Sequence, residues 1–166
     1  HQQMMRWILL VCALVVSGLT AAQVPTTFIL VRHAEKVQDG SKDPELSAAG
    51  QARALRLAKL LQHTVIHAIY STPFKRTQNT VAPLATSKGV NVNPYEGAKP
   101  EEIDRMLKQH PGGTVLLVGH SNTIPAVANY LTGQNSIKNF EDSEYGHVLI
   151  VTLVEKGKAN LTWLTY

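Results

Sequence analysis

The chain has 166 residues, with 16 Lys+Arg against 12 Asp+Glu and a formal net charge of +4, which leaves room for one domain of ordinary size rather than two. Its 44% hydrophobic and 17% charged residues exclude a disordered polyelectrolyte. The positive charge is dispersed, without a run of five or six Lys/Arg, so no nucleic-acid arm or polybasic membrane anchor is expected, only a mild preference for anionic small molecules.

In chain order, the first feature is Trp7 to Val16, ten consecutive hydrophobic residues preceded by Arg6 and followed by Ser17-Gly18-Leu19-Thr20-Ala21-Ala22. This pattern predicts a secretory signal peptide over residues 1–22. It is too short for a spanning helix, which needs about 20 apolar residues. His1 to Gln3 read as a remnant ahead of Met4 or Met5. A periplasmic or secreted domain over residues 23–166 is expected, with no stable membrane anchor once the leader is cleaved. The single cysteine, Cys12, leaves with the leader, so the mature domain is expected to have no disulfide, thiolate zinc site or cysteine nucleophile.

Thr27 to Val31 and Thr114 to Val118 are apolar, β-branched-rich runs of strand length, each leading into a polar cluster containing Arg or His. Val65 to Ser71 and the half-polar Val90 to Tyr95 are further strand candidates. Between them, Ala52, Leu55, Leu57, Ala58, Leu60 and Leu61 recur at helical spacing and predict a helix over Ser47–Gln62. A second helix is expected from Pro73, in its first turn, to Lys88, with Gly89 as the stop. A third begins at Pro100, acidic early and basic late, and ends before Pro111-Gly112-Gly113. Ser121 is the expected cap of a fourth, ending near Gly133. The polar stretch Asn135 to Ser143 reads as a surface loop. His147 to Val154 and Ala159 to Leu164, flanking Glu155-Lys156-Gly157-Lys158, read as an antiparallel hairpin at one edge. Alternating strands and helices predict an α/β fold: a three-layer α/β/α sandwich with a mainly parallel central sheet and a C-terminal antiparallel hairpin.

In open α/β sheets, ligands bind beyond the carboxyl ends of the strands. Three predicted strand ends are followed by Arg32-His33-Ala34-Glu35-Lys36, Ser71-Thr72-Pro73-Phe74-Lys75-Arg76 and Gly119-His120-Ser121-Asn122. One rim would receive two Arg and two His beside a helix N-terminus. Guanidinium forks and helix N–H groups bind dianions. Arg charges around a histidine disfavour its protonated form, leaving a neutral nitrogen free to attack phosphorus.

Leu30-Val31-Arg32-His33-Ala34-Glu35, the segment Ser71…Arg76-Thr77…Thr80, and Val118-Gly119-His120-Ser121-Asn122 together resemble the three signatures of the histidine phosphatase superfamily, the phosphoglycerate-mutase-like family. The resemblance implies that His33 is the nucleophile and that Arg32, Arg76 and His120 bind the phosphoryl oxygens, with Ser121 and Asn122 as further substrate contacts. It implies no metal and no organic cofactor. Glu96, in Pro94-Tyr95-Glu96-Gly97, matches the proton donor best, with Glu35 as competitor. The family usually places Gly where this chain has Ala34.

Blander readings accompany these. Arg32 and Arg76 could form structural ion pairs with Glu35 or Asp39, and Lys36 and Lys75 could be merely solvated. His63 and His67 have the four-residue spacing of a zinc pair but flank a predicted turn without a third ligand, so a structural role is preferred. Gly112-Gly113 lacks the residues of a phosphate-binding loop. Asn160-Leu161-Thr162 fits a glycosylation sequon by letters, in a predicted hairpin.

The resemblance implies a phosphomonoester hydrolase working through a phosphohistidine, with phosphate as product. The expected substrate is an exported or envelope phosphorylated small molecule or glycan. Heptose phosphate phosphatases of the superfamily offer a fold-level analogy. A mutase is disfavoured because only Thr77 to Gly119 lie between the second Arg and second His, too little for an enclosing insertion. The alternative from a different class is a phosphate-binding protein without turnover.

Overall fold

The computed structural model describes residues 23–97 and 99–166; the expected leader lies outside them. The described elements are β1 (Thr26–Arg32), α1 (Ala48–Leu60), β2 (Ala68–Ser71), α2 (Lys75–Lys88), β3 (Val92–Pro94), α3 (Pro100–Gln109), β4 (Thr114–Gly119), α4 (Thr123–Thr132), β5 (His147–Glu155) and β6 (Lys158–Thr165).

The six strands form one sheet in the order β3-β2-β4-β1-β5-β6. β3, β2, β4 and β1 are parallel neighbours, whereas β5 runs antiparallel to β1 and β6 antiparallel to β5. The three layers follow from side-chain alternation along the strands. In β1, Phe28 and Leu30 face the layer of α3 and α4, packing with Ile103, Met106, Val127 and Leu131. Ile29 and Val31 face the opposite layer, with Leu57, Val81 and Leu84 of α1 and α2. A continuous apolar run is what a strand covered on both faces requires. The predicted α/β/α sandwich and its antiparallel hairpin are therefore present. Among the described residues, no helix is long and apolar enough to cross a membrane.

The helix ends show which local signals operate. Ser47 caps α1, its hydroxyl accepting from Gly50 N at 3.1 Å. Gly89 and Gly133 end α2 and α4 in the left-handed conformation that glycine adopts without penalty. Two expected starts need correction. α2 begins at Lys75 after Phe74, not at Pro73, because Phe74 N bonds Thr72 O and first closes a tight turn off β2. Ser121 does not cap α4. Asn122 occupies the cap position without a side-chain bond, and the Thr123 hydroxyl instead accepts from His120 N at 2.9 Å.

The polar stretch after α4 is also more than a surface loop. Phe140 is buried in the core, and its N–H bonds Ser121 O at 2.9 Å, which folds the loop back over the strand ends.

Candidate active site

The parallel pairing of β1 with β4 aligns Arg32 with Gly119, and His33 N bonds Gly119 O at 2.8 Å. His33 and His120 thus leave neighbouring strands at the same level. Their ring centroids lie 5.5 Å apart. Gly119 has no room for a side chain, since a Cβ would meet the Thr123 and Tyr95 hydroxyls at 2.8 Å. That close approach keeps the first turn of α4 tight against the strand that delivers His120.

Each imidazole is oriented. His33 Nδ1 lies 2.7 Å from Ala34 O, and a carbonyl can only accept, so Nδ1 bears the proton and Nε2 carries the lone pair. His120 Nε2 lies 2.8 Å from the Thr72 hydroxyl, which bonds the Thr77 hydroxyl at 3.0 Å. The Thr77 hydroxyl in turn donates to Thr72 O at 2.8 Å. Ala34, where the family usually has Gly, is fully buried with Leu46 and Ala54, and its N–H donates to the Thr80 hydroxyl at 2.8 Å. The extra methyl therefore has a packed site of its own.

The two arginines are each backed by an aromatic ring. The Arg32 guanidinium lies 4.0 Å from the Tyr145 ring centroid, and that of Arg76 lies 4.5 Å from Phe74. Arg32 Nη1 also donates to the carbonyls of Glu141, Asp142 and Glu144 at 3.1, 3.2 and 2.6 Å. The expected alternative of ion pairs to Glu35 or Asp39 is not what holds it. Arg32 Nε is buried without a hydrogen-bond partner.

Arg32, His33, Arg76 and His120 line one cavity of about 740 Å³, together with Ser121, Asn122 and Glu96. The sequence-predicted set thus converges on one place. Both imidazoles have pKa values pushed down to about 4. Burial is the main cause in each, with the charges of Arg32 and Arg76 adding to it. Sequence reasoning credited the arginines alone, because burial at a strand end cannot be seen before the fold is known.

The proton-donor candidates fare differently. Glu35 points away from the cavity into a fork with Arg53, whose Nε and Nη2 lie 2.9 and 2.8 Å from its Oε1. Burial alone would raise its carboxyl pKa, but Arg53 outweighs this and holds it low. Glu96 lines the cavity, yet it is exposed and paired with Lys99 at 2.5 Å. The hydrogen bond and charge of Lys99 hold its carboxyl below the usual range. This favours the carboxylate, contrary to the environment expected of a proton donor.

Lys36 lines the cavity, whereas Lys75 reaches Glu45 at 3.4 Å. His67 Nδ1 accepts from Thr114 N at 2.9 Å, the structural role preferred for it. Among the described residues, no group of three His, Cys, Asp or Glu is placed to hold a metal ion. Sequence reasoning missed Tyr145, Phe74, Thr72 and Thr77. A hydroxyl follows the β2 end directly, so Thr72 was discoverable as a partner for a strand-end histidine. Tyr145 carried no local signal.

A sequence model of the histidine phosphatase superfamily (branch 1) matches residues 28–99, the part holding Arg32, His33, Arg76 and Glu96. Phosphoserine phosphatase 1 of Hydrogenobacter thermophilus is 40% identical over 70 residues, covering 39% of this chain and 33% of that protein. The alignable stretch therefore spans about a third of this curated relative. Among solved structures, the protein histidine phosphatase SixA complexed with tungstate superposes with a TM-score of 0.70 at 16% identity, covering 84% of this chain and 96% of that one. A phosphoserine phosphatase mutant of Entamoeba histolytica in complex with phosphoserine gives 0.64 at 20% identity, covering 82% and 95%. These likenesses establish the fold. Over residues 28–99 the chain is similar to the histidine phosphatase superfamily.

Proposed function

We propose that the protein is a phosphomonoester hydrolase of the histidine phosphatase type, working without a metal or organic cofactor through a phosphohistidine on His33. The observation that carries this reading is the pair of imidazoles, His33 buried and His120 half-buried, 5.5 Å apart in a cavity shared with two guanidiniums. His33 Nε2 attacks phosphorus as the ester P–O bond breaks, and the leaving oxygen takes a proton. Water then attacks the phosphohistidine, the P–N bond breaks, and inorganic phosphate leaves. Arg32, Arg76 and His120 bear on the non-bridging oxygens, whose charge they stabilise in both steps.

Glu96 is the proton-handling carboxyl best placed at the cavity. Glu96, once it has taken up a proton from solvent, passes it to the leaving oxygen; because Lys99 favours the carboxylate, this help is scarce and substrates with good leaving groups react fastest. A cavity of about 740 Å³ holds far more than a phosphate, in keeping with an organic moiety of sugar size or larger. The substrate class we favour is an envelope or exported phosphorylated small molecule or glycan. The signal-peptide pattern of residues 1–22 supports this, and with it a periplasmic or secreted location.

Incubation with a ³²P-labelled aryl or sugar phosphate followed by rapid quench should yield acid-labile, alkali-stable label on His33, absent from His33→Ala. A wild-type chain that hydrolyses aryl phosphate without forming that label would exclude the mechanism. Measurable phosphate binding without hydrolysis of an aryl phosphate would select a binding protein instead.

A further inference from the structure

Arg32 is held by a loop, and that loop is held from the far edge of the sheet. Glu144 closes the loop on itself, with Glu144 N bonding Glu141 O and Glu141 N bonding Glu144 Oε1, both at 2.9 Å. The second carboxylate oxygen, Oε2, lies 3.0 Å from His147 Nε2 at the start of β5. His147 Nδ1 lies 2.9 Å from Trp163 Nε1 on β6. The two residues form a diagonal cross-strand pair, since β5 residue 147 stands opposite 165 and 149 opposite 163.

The donors along this chain are fixed by chemistry. An indole N–H only donates and a carboxylate only accepts. His147 therefore accepts at Nδ1 and donates from Nε2 as one neutral tautomer. Phe140 braces the ring, with centroids 4.6 Å apart. The sequence of contacts runs Trp163, His147, Glu144, then from the Glu144 carbonyl to Arg32 Nη1 at 2.6 Å. Tyr145, the next residue, is the ring that backs the same guanidinium.

We propose that His147 is a positioning residue for the anion site, transmitting the anchorage of Trp163 through Glu144 to the Arg32 guanidinium. The inference rests on the oxyanion cradle proposed above and adds to it a determinant that touches no substrate. Two of three protein ligands on Arg32 Nη1 come from the residues that Glu144 links, Glu141 and Glu144 themselves. Loosening the carboxylate therefore releases the turn that presents them. The effect belongs to anion binding rather than to attack by His33, which is oriented separately by the Ala34 carbonyl.

The test uses the full chain, with tungstate affinity by calorimetry and aryl phosphate turnover read side by side. His147→Leu removes both hydrogen bonds, and should raise the tungstate Kd and the KM about five- to tenfold while kcat stays within about twofold. His147→Gln, whose amide offers an acceptor and a donor, should recover most of that loss. If His147→Leu does not fold, Trp163→Phe serves, with an expected rise of about fivefold for one lost hydrogen bond. An unchanged tungstate Kd overturns the inference, as does a loss confined to kcat or a Gln variant as impaired as Leu. A wild-type chain that binds no tungstate overturns the cradle itself.

Discussion

At the scale of single residues, the site is made of side chains whose protonation and direction are set by neighbours rather than by their own propensities. His33 needs the Ala34 carbonyl to fix its tautomer, and His120 needs the Thr72–Thr77 hydroxyl pair. Glu96 is the residue whose role depends most on a neighbour, because Lys99 holds it as a carboxylate. Glu96→Gln removes proton transfer while leaving the anion cradle intact, so alkyl phosphate turnover should fall about 10²-fold or more. Aryl phosphate turnover should fall much less, since a phenolate needs little help to leave. Equal losses on the two substrates, measured as kcat/KM, would remove Glu96 from the mechanism. Much of this level was legible in advance. Arg32, His33, Arg76 and His120 each follow a recognisable strand-end or helix-start pattern. Tyr145 was not legible, because it reaches Arg32 by a tertiary path with no periodicity behind it, whereas Thr72 was marked by its place directly after β2.

At the scale of elements, α1 lies directly against the loop that follows His33. A Cβ on Gly50 would overlap the Glu35 carbonyl, which in turn accepts from Ser47 N at 2.9 Å. The helix N-terminus is thus pressed directly onto backbone two residues beyond His33. Gly50→Ala cannot be absorbed by a side-chain rotation, because both partners are main chain. It should cost at least about 1–3 kcal/mol, as overpacking does, against a gain of about 1 kcal/mol in helix propensity. The urea midpoint should fall, and wild-type stability in this variant would show that α1 can slide. From sequence, α1 was readable by its apolar spacing and Ser47, within two residues at each end. The start of α4 was misassigned to Ser121 because two hydroxyl residues flank Asn122, and only the fold shows that Thr123 bonds backward to His120. The loop after α4 was misjudged because one buried aromatic, Phe140, outweighs the polarity around it.

At the scale of the whole molecule, the site links folding to pH. His33 and His120 titrate near pH 4 in the folded protein but near 6.5 when unfolded. Between those values the unfolded chain binds more protons, so stability falls as pH drops through the window, by up to about 1.4 kcal/mol per pH unit for each ring. Urea midpoints measured from pH 7.5 to 4 should decline more steeply for the wild type than for a His33→Asn, His120→Asn double variant; parallel declines would contradict burial as the cause. For the same reason, the acid limb of kcat/KM should lie well below pH 6.5.

β1 lies between β4 and β5, although it is the first strand described and both of its partners come much later in the chain. A ribosome would therefore deliver the nucleophile long before the strands that frame it or the carbonyls that grip Arg32. Until the hairpin emerges, β1 has an open flank on one side and Arg32 lacks the carbonyls that hold it. The surroundings of Arg32 are therefore completed only when that hairpin docks.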